Sequence, residues 1–376
     1  MKVAIVILNW NTKTYLQKFL PPLLQSVSGK DARVIVADND STDGSKAFMA
    51  KHYPDIELIA MESNYGYAEG YNMALGGLED EYYVLMNSDV EVGPGWLDPL
   101  VEWMDSHPEC GACGPKILSQ ADPSMFEYAG AAGGLLDSLG YPFCRGRVLS
   151  FTEKDEGQYD ACDPHVMWVS GACFMVRSAV FQQLGGFDER FFAHMEEIDL
   201  CWKIQLHGYT VDIVAESSVK HIGGGTLPST STRKLFYNYR NNLLMLQNNL
   251  AMTYALASYE QDPDSRSGDR MKRHNARKTA ARKACRKASA TIFKRKLLDG
   301  VSAAIYLLKL DTRKFGAVRK AHAGVRSLGW KWSAAQVADF VKHHHGSKVY
   351  GFWEGWMVPK ALRSGKKFLS SFHAQK

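Results

Sequence analysis

Val34-Ile-Val-Ala-Asp-Asn-Asp-Ser-Thr-Asp-Gly44 is an apolar run that stops on an acidic, turn-forming stretch, and Tyr83-Val-Leu-Met-Asn-Ser-Asp89 has the same build. A short apolar run bounded by turn residues reads as a strand buried on both faces, as in a parallel sheet. In open α/β sheets the ligand crevice lies beyond the carboxyl ends of such strands, so the polar residues released there are the first candidates for a site.

Working outward, Val3–Leu8 is another buried strand, ending at Asn9-Trp-Asn11. Residues 13–28 form a helix kinked or broken at Pro21-Pro22. A helix over Ser45–His52, a strand over Ile56–Ala60 and a helix through Leu78 continue the alternation. This pattern predicts an α/β fold with a mostly parallel central sheet flanked by helices. No GxGxxG follows the first strand, which argues against a dinucleotide site of the Rossmann type. Beyond residue 93 the pattern loosens. Helices are expected over Pro94–Ser106, Ser178–Leu184, Asp199–His207 and Arg233–Leu250, and strands over Val166–Val176 (broken at Gly171) and Thr210–Ala215.

The 376 residues carry a net charge of +5 that hides an asymmetry: residues 1–265 hold 18 Lys+Arg against 35 Asp+Glu, and residues 266–376 hold 27 against 5. A front half this acidic needs a local device, such as a metal, to hold a phosphate. The tail suits an anionic partner: a membrane surface, a nucleic acid or the acidic domain itself. Seven irregularly spaced cysteines point to a reducing compartment. The apolar start Val3–Leu8 is too short for a signal peptide, and no run approaches the ~20 apolar residues of a membrane span. We therefore expect a main domain over 1–255, a flexible linker over 256–280 and a basic helical extension over 281–376. In that extension Leu297, Leu298, Val301, Ile305 and Leu308 stripe one helix. Trp330, Trp332, Phe340, Tyr350, Phe352, Trp353 and Trp356 lie among Lys and His, a pattern suited to lipid headgroups.

Asp89 is a metal ligand or a turn former; one or two carboxylates plus substrate phosphates is how Mg²⁺ is usually held. Asp38 meets a base or ribose group, or starts an Asx-turn. Gly66 and Gly70 permit close backbone approach. Glu196 and Glu197 are first-turn residues favoured by the helix dipole, or one is a general base. His221 is a metal ligand or a surface histidine ahead of a glycine loop.

Taken in order, these pieces resemble family 2 glycosyltransferases of the GT-A fold, especially a bacterial branch that includes rhamnosyltransferases. The matching segments are Val6-Ile-Leu-Asn-Trp-Asn11, Asp38–Gly44, Asn64-Tyr-Gly-Tyr-Ala-Glu-Gly-Tyr-Asn72, Leu85-Met-Asn-Ser-Asp89, Trp168-Val-Ser-Gly-Ala172, Gly185-Gly-Phe-Asp188, Glu196-Glu-Ile-Asp-Leu200, His221 and Arg240-Asn-Asn-Leu243. The resemblance covers roughly residues 3–250. It implies that Asp38 reads the donor's base, with Asn9, Asn11 and Asn39 in the same pocket and Asn72 and Gly66 near the donor. Asn87-Ser88-Asp89 takes the family's Asp-x-Asp slot, with Asn at its first position. Asp89 and His221 would then hold Mn²⁺ or Mg²⁺, and Glu197, or its neighbour Glu196, would be the base.

The implied activity is inverting transfer from a nucleotide-diphosphate sugar to a glycan or polyprenyl-diphosphate-linked acceptor. The implied place is the cytoplasm, at the inner face of the cell membrane. The basic tail would serve as membrane attachment, or as an arm between subunits of a homo-oligomer. A nucleotidyltransferase is the rival enzyme, disfavoured because Asn9-Trp-Asn-Thr12 is no Gly-rich basic loop. A nucleic-acid-binding role for the tail lacks any recognised motif.

Overall fold

The computed structural model describes residues 1–223, 231–328 and 332–373. The amino-terminal half alternates as expected: β1 (Val3–Asn9), α1 (Lys13–Ser26), β2 (Ala32–Asp38), α2 (Ser45–His52), β3 (Glu57–Ala60), α3 (Ala68–Leu75) and β4 (Tyr82–Asn87). Then come β5 (Val90–Val92), α4 (Asp98–Ser106), β6 (Cys110–Ser119), four short strands β7 (Gly134–Asp137), β8 (Pro142–Cys144), β9 (Arg147–Val148) and β10 (Phe151–Thr152), β11 (Cys173–Arg177), α5 (Ser178–Gln183), α6 (Glu196–Leu206) and β12 (Thr210–His221). The remainder is α7 (Thr232–Glu260), a 3₁₀ turn (Pro263–Arg266), α8 (Arg270–Leu308), α9 (Thr312–Ser327), α10 (Ala334–His344), β13 (Phe352–Trp353), α11 (Met357–Arg363) and α12 (Gly365–Ser370).

The main sheet has the order β3-β2-β1-β4-β11-β6-β12-β5. Its first four strands are parallel, and so are β6 and β12. It is mixed overall, because β11 enters antiparallel between β4 and β6, and β5 pairs antiparallel with β12. Both faces are covered, which is why β1 is apolar without interruption. Ala4 and Val6 face a core shared with Tyr71, Phe174 and Trp202, while Val3, Ile5 and Ile7 face Leu16, Leu20 and Leu100. Pro21 and Pro22 do not break α1, which runs through both. The Val166–Val176 run forms a strand only from Cys173. Its first half packs as irregular chain, with Trp168 over Gly134, where a Cβ would come within 2.0 Å of the indole.

Two expectations change. Residues 256–280 are not a free linker: α7 runs to Glu260, α8 starts at Arg270, and Ala276, Ala280, Ala281, Ala284 and Ala288 are buried in the core that α7 also enters. Small side chains there let two long helices approach closely. The carboxyl-terminal region is likewise built into the protein. β13 extends a second sheet, β10-β9-β8-β7-β13, by pairing parallel with β7. The buried Asp137 holds this junction by accepting hydrogen bonds from the backbone N–H groups of Leu139, Tyr141 and Met357, each at 2.9 Å.

Most of the tail's aromatic residues therefore pack inward. Phe352 meets Trp202, Trp353 meets Phe143, and the Trp332 indole N–H donates to the Asn248 carbonyl. Trp356 stays exposed, and Trp330 lies outside the described residues. No helix among the described residues is long and apolar enough to cross a membrane.

Candidate functional site

A cleft of about 910 Å³ opens beyond the carboxyl ends of β1, β2 and β4 and runs toward the start of α6 and α7. Asn39, Gly66, Asn87, Ser88, Asp89, Glu196, Glu197 and His221 line it; Asn9, Asn11, Asp38 and Asn72 do not. Side-chain alternation explains the split. Asn9 pairs with Asp38 in the parallel register, so both point the same way, and the next positions, Trp10 and Asn39, reach the cleft.

The four residues behind the wall brace it. Asn9 Nδ2 donates to Asp38 Oδ2 at 2.8 Å and to Ser41 Oγ at 3.0 Å, and Asp38 Oδ1 accepts from the Ser41 N–H. With Asp38 only 1 % exposed, its carboxylate holds the turn and does not touch the cleft. Asn11 sits at φ 54° and accepts from the Thr42 N–H. Asn72 uses both ends of its amide on the Phe187 backbone, 2.9 Å each way. Asn39 grips the loop of α3 through the Gly66 carbonyl and the Tyr65 N–H. Gly66, at φ 77°, has its pro-Cβ position 2.3 Å from the Phe192 carbonyl, so any side chain there collides with backbone.

One end of the cleft gathers Asp89, His221 and Glu127. Pairing of His221 with Val90 brings the histidine beside Asp89. Its Nε2 lies 3.2 Å from Asp89 Oδ1 and its Nδ1 3.2 Å from Glu127 Oε2. Burial would lower the histidine's pKa, but the hydrogen bonds to Asp89 and Glu127 outweigh it and hold it at about 9. Among the described residues no three His, Cys, Asp or Glu side chains form a complete metal cage. The donor set nonetheless fits a cation that displaces the His221 proton and takes its remaining ligands from substrate phosphates: one carboxylate oxygen and one imidazole nitrogen converge in the cleft. Glu127 escaped sequence reasoning. It sits in a Gly- and Ala-rich stretch with no periodic pattern, and only the chain's return at β12 puts a histidine on it.

The other end holds the two glutamates at the start of α6. The preceding His194 and Met195 both have positive φ, 73° and 74°. Asn241 of α7 secures this turn by donating to the Ala193 carbonyl at 2.8 Å and the His194 carbonyl at 2.7 Å. Glu196 Oε2 and Glu197 Oε2 are buried without a hydrogen-bond partner among the described residues. Burial raises the Glu197 carboxyl to about 7, and burial together with the charge of Glu197 pushes Glu196 well above the usual carboxylate range. Asp199 faces away, binding Asn248, Asn249 and Lys203.

The strand ends of this α/β sheet thus open on a polar cleft with a carboxylate–imidazole pair at one end and two buried glutamates at the other, the place where open α/β sheets bind ligands. Residues 4–185 match the family model described as glycosyl transferase family 2. The N-acetylglucosaminyl-diphospho-decaprenol L-rhamnosyltransferase of Mycobacterium tuberculosis (strain CDC 1551 / Oshkosh) is 30 % identical over 237 residues, 58 % of this chain and 75 % of that protein. The rhamnosyltransferase WbbL of Escherichia coli (strain K12) is 23 % identical over 219 residues, 56 % of this chain and 80 % of that one. A crystal structure of GalNAc-T7 with UDP, GalNAc and Mn²⁺ superposes with a TM-score of 0.52 at 14 % identity, over 74 % of this chain and 54 % of that one, a likeness of fold alone. The chain belongs to glycosyltransferase family 2, with a GT-A fold and rhamnosyltransferase-like relatives, and its general activity is glycosyl transfer.

Asn241→Ala removes both hydrogen bonds that hold the strained turn before Glu196. Transfer is expected to fall by about tenfold or more, because a misplacement of ~1 Å costs of order 10²-fold in rate. The thermal midpoint should drop by only a few degrees, as about 1–2 kcal/mol of hydrogen bonding is lost. Steady-state rates and a melting curve on the same sample check both.

Proposed function

We propose that this enzyme inverts configuration as it moves a sugar from a nucleotide-diphosphate donor, dTDP-rhamnose or a UDP-sugar, to a hydroxyl of a glycan or polyprenyl-diphosphate-linked acceptor in cell-surface polysaccharide synthesis. The observation that carries the reading is the presence of Asp89–His221 and Glu196–Glu197 on one cleft. The M. tuberculosis relative's name, which specifies a diphospho-decaprenol acceptor, supports the acceptor class.

In this mechanism Asn39, Gly66, Asn87 and Ser88 form the donor's wall, with Asn9 and Asp38 bracing it from behind. Glu197 takes the proton of the acceptor hydroxyl as that oxygen attacks the anomeric carbon. The bond from that carbon to the diphosphate breaks on the opposite face, and the nucleoside diphosphate leaves with the electron pair. Asp89 and His221 would hold a Mn²⁺ or Mg²⁺ ion, which when bound supplies Lewis-acid neutralisation of the diphosphate charge. The diphosphate is already a good leaving group, so no second carboxyl is needed as acid, unlike the pair in a glycoside hydrolase. Glu197 is favoured over Glu196 because its pKa of about 7 leaves a large fraction ionised near neutral pH, whereas burial and the charge of Glu197 push Glu196 well above the usual carboxylate range.

The carboxyl-terminal region is proposed to dock on the inner face of the cell membrane. On α8 and the turn after it, Phe293, Leu297, Val301, Ile305, Leu308 and Leu310 are exposed, the last two at 84 % and 85 %. Lys294, Lys309, Arg313 and Lys314 lie among them. An apolar stripe flanked by cations is the signature of an interfacial helix.

Glu197→Gln should lower kcat by about 10²–10⁴-fold while donor binding persists, and Glu196→Gln should do far less; two active variants would remove the base assignment. Because the base must be ionised, wild-type kcat/KM should climb as pH rises toward 7 and level off above it. In a thermal-shift panel of UDP, GDP and dTDP sugars, Mn²⁺ should enhance donor stabilisation, and Asp89→Ala should abolish the enhancement without unfolding the protein. Sedimentation with anionic vesicles should be lost in Leu308→Glu/Leu310→Glu. Binding to nucleic acid with none to vesicles would defeat the membrane assignment.

A further inference from the structure

Arg147, on β9, is 6 % exposed, yet it lines the cleft and has no carboxylate within ion-pair distance among the described residues. Its Nε is enclosed without a hydrogen-bond partner. Its Nη2 donates only a weak hydrogen bond, to Cys144 Sγ at 3.3 Å, and the guanidinium lies 4.5 Å from the centre of the Tyr128 ring. The protein's other deeply buried arginine is treated differently. Arg295 bonds Asp299 at 2.9 Å, is capped by the Asn242 carbonyl oxygen and stacks 3.7 Å from Tyr141. Buried Lys116 likewise has two carboxylates, Asp155 and Asp160. Burying an unpaired charge is costly even after relaxation, and a ring face returns only part of that cost. A guanidinium kept in this state beside a cleft is a receptor whose anion arrives with a ligand.

The chemistry of that anion follows from its surroundings. Tyr128, which covers Arg147, adjoins Glu127, which holds His221 at the proposed cation site. Arg147 itself belongs to the second sheet, which β13 completes and which is hydrogen-bonded separately from the sheet whose strand ends form the proposed donor wall. Two further cations, Arg233 and Lys234 at the start of α7, line the same cleft. A planar fork of N–H donors suits a phosphate oxygen pair. We propose that Arg147, stacked on Tyr128, is a phosphate subsite for the acceptor: it binds the diphosphate that links the acceptor sugar to its lipid, and so presents the sugar hydroxyl to the base. The inference rests on the glycosyl-transfer reading above and adds a basis for choosing phosphate-bearing acceptors.

The test compares two acceptors with the same N-acetylglucosamine, one on a short prenyl diphosphate and one on a neutral alkyl chain, using wild type, Arg147→Met and Arg147→Lys. Wild type should prefer the diphosphate acceptor. Arg147→Met should raise KM for that acceptor by about ten- to hundredfold, leaving KM for the donor and the rate with the neutral acceptor within twofold. Arg147→Lys, which keeps the charge and loses the fork, should fall between, and carries the same comparison if the Met variant does not fold. Donor-induced thermal stabilisation should be equal in all three proteins.

A rise in donor KM instead would place Arg147 on the donor's diphosphate and overturn the proposal. So would a preference for the diphosphate acceptor that survives in the Met variant, or no preference in wild type. Wild type inactive with both acceptors, while still stabilised by donor, would instead defeat the acceptor class on which the subsite depends.

Discussion

A ladder of asparagines on α7 holds the glutamate-bearing start of α6 in place. Asn241 ties the carbonyls of Ala193 and His194, Asn248 joins Asp188 to Asp199, and Asn249 also meets Asp199. The turn they secure contains two consecutive non-glycine residues with positive φ, a conformation that costs on the order of 1–3 kcal/mol each and survives only when its surroundings over-determine it. The strain aims Glu196 and Glu197 into the cleft at the first turn of α6. All three asparagines are buried, so their amides have no water to fall back on, and each lost partner would leave an unsatisfied group. The Arg240-Asn-Asn-Leu243 segment therefore acts through the loop it braces.

The charge asymmetry acquires a structural meaning in the same frame. The tail's long basic helix presses an alanine face on α7 and turns most of its cations outward, while the last strand pairs with β7 and the last helices pack on the second sheet. One of its few acidic residues, Asp299, is buried between Arg295 and His322, a pairing that knits α8 to α9. The same region thus supplies the packing behind the second sheet, which carries Arg147, and the exposed apolar stripe of α8.

Much of the first half was legible locally. β1, β2, β4 and α2 follow from continuous apolar runs and their turns, because a strand covered on both faces must be apolar at every position. Asp89, His221 and the glutamate pair were found by residue type and by the order of the motifs. Asn9, Asp38 and Asn72 were legible as important and illegible in role: a strand's twofold alternation decides whether a polar end faces ligand or neighbour, and here it turned Asn9 and Asp38 onto each other. The short strands β7 to β10 carry no periodic pattern, since they are only two to four residues long; Arg147 was lost with them, and Glu127 with the Gly- and Ala-rich stretch that precedes them.

The sequence by itself determined the α/β alternation, the family and the identity of the residues with chemical capacity, because burial on both faces and the needs of strand-end turns are written in neighbouring positions. Tertiary structure alone decided which of those residues share a cleft, that a glutamate from a glycine-rich stretch supports His221, and that an arginine lines the same cleft with no carboxylate partner among the described residues. Those facts depend on register between segments distant in the chain and on which polar groups find partners once water is excluded, and neither is encoded in any local stretch.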